Sequence, residues 1–398
     1  MKRSIIGTYF LLLALSSMGL GFSSGVYSNF LRSHGLNELE LNTVNIAFFL
    51  TIFLFEIPTG LYADVFGRKR SFVISCFLLS ASEFVYSGSS TFWGFVTAEI
   101  IGGIAVTFAS GAYQAWLVDR LKHHGYEEKL TKIFAWESVV KALAIIASSA
   151  IGGKMADYSY VWPWFLGGIM SALTGVLSAI IMKEEYFVKK NFNFKRSLTE
   201  MAVTTRESWR YLRTDKAFRF ILAMGFVLTF TVMAPNMQWQ KIFINHLKTN
   251  FHVSLLMVGI QITVMAGGYL SLRFLTLCKS DEKKALMVCQ VLIGLTIMLT
   301  VMWSNLPMIL VFFLLHEVFR GAFKPIKDAY LQDMLPSKER ATLASFESMY
   351  GHLGGALGLL MSGWLATVAG IPTAWAVAGA VMVIEALTLH NHSRKVKK

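Results

Sequence analysis

Runs of roughly 18–25 apolar residues recur from one end of the chain to the other, each long enough to cross a hydrocarbon layer about 30 Å thick. In such a layer every backbone N–H and C=O needs a partner inside its own segment, so each run must be a helix. Twelve runs are countable, at about 6–29, 40–61, 71–90, 93–118, 134–153, 162–182, 217–240, 254–277, 285–303, 307–326, 343–366 and 373–391. Only 15% of the 398 residues are charged, against about a quarter in soluble domains, and the mean hydropathy is +0.53. The expected fold class is an all-α polytopic membrane protein with twelve transmembrane helices. The opening "MKRSIIGTYFLLLALSS" has the basic start and apolar core of a secretory signal. Its apolar run continues to Tyr27 and many spans follow, so an uncleaved first helix is expected. Cys76, Cys278 and Cys289 are odd in number and lack CxxC spacing, which predicts neither a disulfide framework nor a metal site.

A formal charge of +13 would suit a nucleic-acid partner if it formed one compact face. Here it is spread along the connections. With both termini in the cytoplasm, about 28 Lys and Arg fall in cytoplasmic segments and about four outside, the strong asymmetry of the positive-inside rule. The charge therefore orients the chain against a bilayer and predicts no nucleic-acid partner. The one long polar stretch, 183–216, divides the spans into an N-terminal six-helix bundle at 1–182 and a C-terminal one at 217–398. Within it Ser197 and Glu200 have capping-box spacing, which predicts a short helix along the cytoplasmic face.

The two sets of six spans echo each other. Trp116-Leu117-Val118-Asp119 at the end of the fourth span matches Tyr330-Leu331-Gln332-Asp333 at the end of the tenth. Glu137-Ser138 at the mouth of the fifth matches Glu347-Ser348 at the mouth of the eleventh. Parallel halves with a binding site between them are the architecture of alternating-access transporters. The stretch "EIPTGLYADVFGRKRS", Glu56 to Ser71, follows the second span. Its Gly60, Asp64, Gly67, Arg68 and Lys69 resemble the loop signature of the major facilitator superfamily, approximately G-x-L-a-D-x-x-G-R-[KR], and depart from it at Tyr62 and Val65. The overall pattern is similar to the small prokaryotic twelve-span efflux members.

That resemblance implies two pseudo-symmetric six-helix bundles and a gating role for the signature. Asp64 would face a helix N-terminus in the other half, that of the eleventh span, and act as a latch. Pro58 and Gly60 would loosen the end of the second span. Asp119 and Asp333 would form a supporting network, with Glu137 and Glu347 near Arg120 and the signature loop. The plainer alternative is that Arg68, Lys69 and Arg70 only set topology.

Ionisable groups deep in a span are costly and mark sites or relays. Glu83, Glu99, Lys141, His316, Glu317 and Arg320 fall inside spans, with Glu56 and Glu385 nearer their ends. In "LLHEVFRGAFKP" the spacing lets Arg320 share a helix face with His316 or Glu317. This is either a static ion pair or a cluster whose protonation changes as a solute binds. Drug–proton antiporters of the superfamily carry an Arg in the fourth span and a Pro in the fifth, where this chain has Glu99 and Ser149. Tyr27, Tyr113, Gln114, Asn236, Gln238, Trp239, Gln261 and His352 are further candidates, each either a packing residue or a solute contact.

The expected function is secondary active transport of a small organic solute by alternating access, as proton-coupled efflux. The alternatives are proton-coupled uptake of a polar or carboxylate-bearing metabolite or siderophore, and a non-transporting receptor on the same scaffold. No G-x-x-x-x-G-K-[ST] occurs, so no nucleotide partner is expected. Neither is enzymatic activity, since no nucleophile–base spacing stands out, nor a cofactor or metal beyond the proton gradient as energy source. The expected setting is a prokaryotic cytoplasmic (inner) membrane, with both termini cytoplasmic, the lipid bilayer and a small-molecule substrate as partners, and a monomer as the working unit.

Overall fold

A computed structural model describes residues 2–127, 130–185, 210–334 and 340–395, so the linker helix expected around Ser197 and Glu200 lies outside the described residues. Within them the chain is helical and has no strand. The first half runs α1 (Lys2–Ser24), α2 (Tyr27–Ser33), α3 (Glu38–Phe66), α4 (Arg68–Gly88), α5 (Phe92–Ala109), α6 (Ala112–His123), α7 (Thr131–Ala156) and α8 (Val161–Ile181). The second runs α9 (Lys216–Leu247), α10 (Asn250–Leu277), α11 (Glu282–Met302), α12 (Leu306–Met334), α13 (Arg340–Ala369) and α14 (Ile371–Lys395). Twelve stretches are long and apolar enough to cross a membrane, with α5 and α6 together making one of them.

Two spans are broken where backbone geometry requires it. Between α5 and α6 the break falls at Gly111, whose φ of 68° lies in the left-handed region that favours glycine. The first span, expected to run unbroken to 29, stops at Ser24. At Gly25 a Cβ would meet the side chains of Ser149 and Ser254, and the chain restarts as α2.

The signature stretch departs most from expectation. Pro58 and Gly60 sit inside α3, which continues through them to Phe66. The connection to α4 shrinks to the single non-helical residue Gly67, at φ 102°.

The chain divides into two compact units. The first comprises 1–36, 47–194 and 240–258, the second 37–46, 195–239 and 259–398. Each unit thus includes a segment from the opposite half of the sequence. In the first unit α4 packs on α8 and α5, and α1 on α7 and α8; in the second α11 packs on α12 and α14.

The borrowed segments are held by polar bonds. Gln240 Oε1 accepts from the backbone N–H and hydroxyl of Ser28, at 2.9 and 2.8 Å, and its Nε2 donates to the Ser24 carbonyl. Asp157 accepts the Asn250 N–H at 2.7 Å, capping the start of α10. In the second unit Asn42 Nδ2 donates to the Leu359 carbonyl at 2.8 Å.

Candidate functional site

The densest set of charges in the second unit lies on α12. Its three-residue spacing brings Arg320 Nε to 3.1 Å from Glu317 Oε2. Arg320 Nη1 donates to Asn236 Oδ1 of α9 at 2.6 Å. His316 Nε2 lies 3.4 Å from Glu317 Oε1, and Nδ1 bonds the Phe313 carbonyl. A carbonyl only accepts, so Nδ1 carries the hydrogen. Nε2 of a neutral ring would then face the Glu317 carboxylate lone pair to lone pair, an arrangement favourable only when a proton sits between them. The side chains of His316 and Glu317 are 0% and 4% exposed, whereas that of Arg320 is 28% exposed. The acid is sheltered and its cation remains reachable.

Three other candidates on this unit, Gln238, Trp239 and Glu347, are already engaged. Gln238 is buried, donating to the Ser362 carbonyl and accepting from Trp375 Nε1 at 3.0 Å. Trp239 packs its ring 6.1 Å from Phe313. Glu347 pairs with Lys327 at 2.6 Å, Asp333 is exposed and His352 is partly buried. Gln261 makes no side-chain hydrogen bond among the described residues.

In the first unit Glu137 accepts from Tyr9 Oη at 2.6 Å and from Gln114 Nε2 at 2.8 Å. Tyr113 stacks on Tyr9 at 4.6 Å and donates to its carbonyl. Arg120, the neighbour expected for Glu137, instead lies over the Trp116 ring at 5.5 Å. Glu56 accepts from Ser110 Oγ at 2.7 Å. Lys141 is exposed, without an ion pair among the described residues. Glu83 is buried on Ser171 Oγ, and Glu99 accepts from two phenols, Tyr27 and Tyr86.

Around the signature, Arg68 pairs with Asp119. Asp64 is exposed and makes no ion pair or hydrogen bond among the described residues. The residue that sequence reasoning missed is Glu184. It reaches back from beyond α8 to accept the Arg68 and Lys69 N–H groups, at 2.7 and 3.2 Å. A carboxylate at a helix start satisfies orphan donors and meets the positive end of the dipole. Burial pushes the Glu184 carboxyl above its ordinary value, against the opposing pull of those two N–H groups and of the Arg68 and Lys69 charges. The available signal was an acidic residue at the start of an otherwise basic linker. Glu184→Ala should lower stability by about 1 kcal/mol, the usual loss of an N-terminal cap, read as a lower Tm in detergent. Gly67→Ala should act at the same place: its Cβ would lie 2.5 Å from Glu184 Oε2, at a φ that L residues rarely adopt.

The model of the Major Facilitator Superfamily matches residues 9–274 and 236–397. The chain belongs to that superfamily. It is 24% identical over 225 residues to the quinolone resistance protein NorA of Staphylococcus aureus, a match covering 56% of each protein. It is 21% identical over 397 residues to multidrug resistance protein 2 of Bacillus subtilis, covering 96% of this chain and 95% of that one. Among solved structures it resembles the nucleoside transporter NupG, with a TM-score of 0.79 at 13% identity over 97% of this chain and 98% of that one. A POT family transporter matches with a TM-score of 0.75 at 13% identity, over 99% and 96%. With its twelve candidate spans the chain is a multi-pass membrane protein of the superfamily; the match to NorA spans about half of that protein's length, and both structural neighbours are transporters.

Proposed function

We propose that this transporter moves a small organic solute out of the cell in exchange for protons, by alternating access. The observation that carries the reading is the α12 cluster. A sheltered Glu317, next to a His316 with which it can share a proton, holds a partly exposed Arg320. Binding and proton transfer can then compete: a solute that draws Arg320 away changes the charge balance around Glu317, and with it the proton. Efflux is supported by the drug-resistance relatives. The setting that goes with it is a cytoplasmic membrane with both termini inside and the proton gradient as the only energy source. Glu99 and Ser149 stand where antiporters of the superfamily carry Arg and Pro, and they favour the second reading, proton-coupled uptake.

The test is the purified protein in liposomes with a trapped pH indicator, an imposed pH gradient and a panel of lipophilic cations and carboxylate-bearing metabolites. Solute movement that collapses the gradient supports coupling, and its direction relative to the proton separates efflux from uptake. A solute that binds and never moves would reassign the protein as a receptor.

A further inference from the structure

Glu99 lies on α5, buried among aromatic rings, with no ion pair among the described residues. Its Oε1 accepts from Tyr27 Oη of α2 at 2.6 Å and Tyr86 Oη of α4 at 2.5 Å. From α8 the Trp164 ring stacks on Tyr86 at a centroid distance of 4.0 Å and meets Tyr27 edge-on at 5.8 Å. Phe95 also stacks with Tyr86, at 5.8 Å. Among the described residues the groups bonded to the carboxylate are thus two phenols, with no Lys, Arg or His. The nearest second acid on α4, Glu83, is turned to Ser171 of α8. His34 packs on Phe30 and Phe95 rather than on Glu99.

A carboxylate lined by aromatic rings would suit an organic cation if there were room for one. Stacking at 4.0 Å leaves none between Tyr86 and Trp164. The ligand such a site can take without unpacking is the one with no volume, a proton.

The consequence follows from what Tyr27 is attached to. It is the first residue of α2, just past the break at Gly25. The next two residues, Ser28 and Asn29, donate their backbone N–H groups to Gln240 Oε1 at 2.9 and 3.2 Å. Tyr27 therefore anchors the short helix by which the first half of the sequence holds α9 of the second. Hydrogen bonds to an ionised acceptor are roughly twice as strong as those to a neutral one. Protonating Glu99 weakens the anchor of α2 one residue away from its hold on Gln240.

We propose that Glu99 is a proton-binding site, distinct from the α12 cluster, whose protonation loosens the grip of α2 on Gln240. It rests on the proton-coupled reading and gives it a second titrating group, on the other unit.

The experiment uses the full chain in liposomes, with spin labels at Ser33→Cys and Lys241→Cys, both exposed positions on the first unit. The three native cysteines are buried. In the otherwise unaltered chain the ratio of held to released conformers should fall about tenfold from pH 8 to pH 5. Glu99→Gln should give the released distribution at both pH values, and Tyr27→Phe should move it partly that way. Glu83→Gln should keep the full response and also shows that losing a buried acid does not itself unfold the bundle. A Glu99→Gln protein that folds and still responds to pH overturns the proposal, as does a parent protein whose distances ignore pH. If gradient-driven transport is absent while the distances respond, the coupling reading fails and the proton site stands.

Discussion

Arg320→Ala is expected to weaken solute binding by about 100-fold and to destabilise the protein by about 2 kcal/mol. The stability loss comes from what remains behind. Glu317, 4% exposed, would lose its cation and keep, among the described residues, only His316 beside it. Removing one partner of a fully buried pair costs about 3–5 kcal/mol. The 28% exposure of Arg320 moderates that figure, because water already screens part of the pair. Adding Glu317→Gln removes the stranded charge, so the double variant should recover most of the stability and none of the binding. Thermal unfolding in detergent reads the first quantity, and equilibrium binding of the solute found in the liposome screen reads the second. If Arg320→Ala lowers stability and leaves affinity unchanged, the cluster is a static ion pair.

How far the sequence reached is clearest where it fell short. All twelve spans were visible as apolar runs, because the cost of exposing backbone to lipid imposes length and composition locally. The twelfth helix, α12, was expected to end near 326 and continues to Met334. Polar residues such as Lys324 and Asp328 hid the continuation, and the two satisfy each other one helical turn apart at 2.6 Å. The stretch Glu56–Ser71 read as a loop because Pro, Gly and charge crowd into it. It is instead two helices meeting at Gly67, whose positive φ turns the chain in one residue. The α12 charges were legible because charge in a span is rare and expensive. Their setting was not: Asn236 lies 84 residues away in sequence. Glu137 finds Tyr9 across 128 residues. Contacts over such separations leave no local trace in the spacing of residues.

Gly152→Val and Gly358→Val should each abolish the folded protein, with no monodisperse peak in size-exclusion chromatography and loss from the membrane fraction. On α7, a Cβ at Gly152 would run into the Phe22 carbonyl of α1; on α13, one at Gly358 would run into the Phe230 carbonyl of α9. A side chain in the way can rotate aside, but a backbone carbonyl moves only with its helix. The helices must therefore separate, forfeiting the close packing that small residues allow where no hydrophobic effect drives helices together. Overpacking a core costs about 1–3 kcal/mol even where side chains can yield, and neither contact offers one. The milder Gly→Ala changes should fold at reduced yield, ranking below wild type and above Val. Gly351, whose Cβ would come no closer than 3.8 Å to the Thr229 side chain, is the control and should accept Ala freely. Two contacts of one kind, a glycine of the fifth span on the first and a glycine of the eleventh on the seventh, carry the sequence repeat into backbone geometry. Equal sensitivity at both positions is what that repeat requires, and a harmless Gly358→Val beside a destructive Gly152→Val would show that the halves share their helices and not their packing.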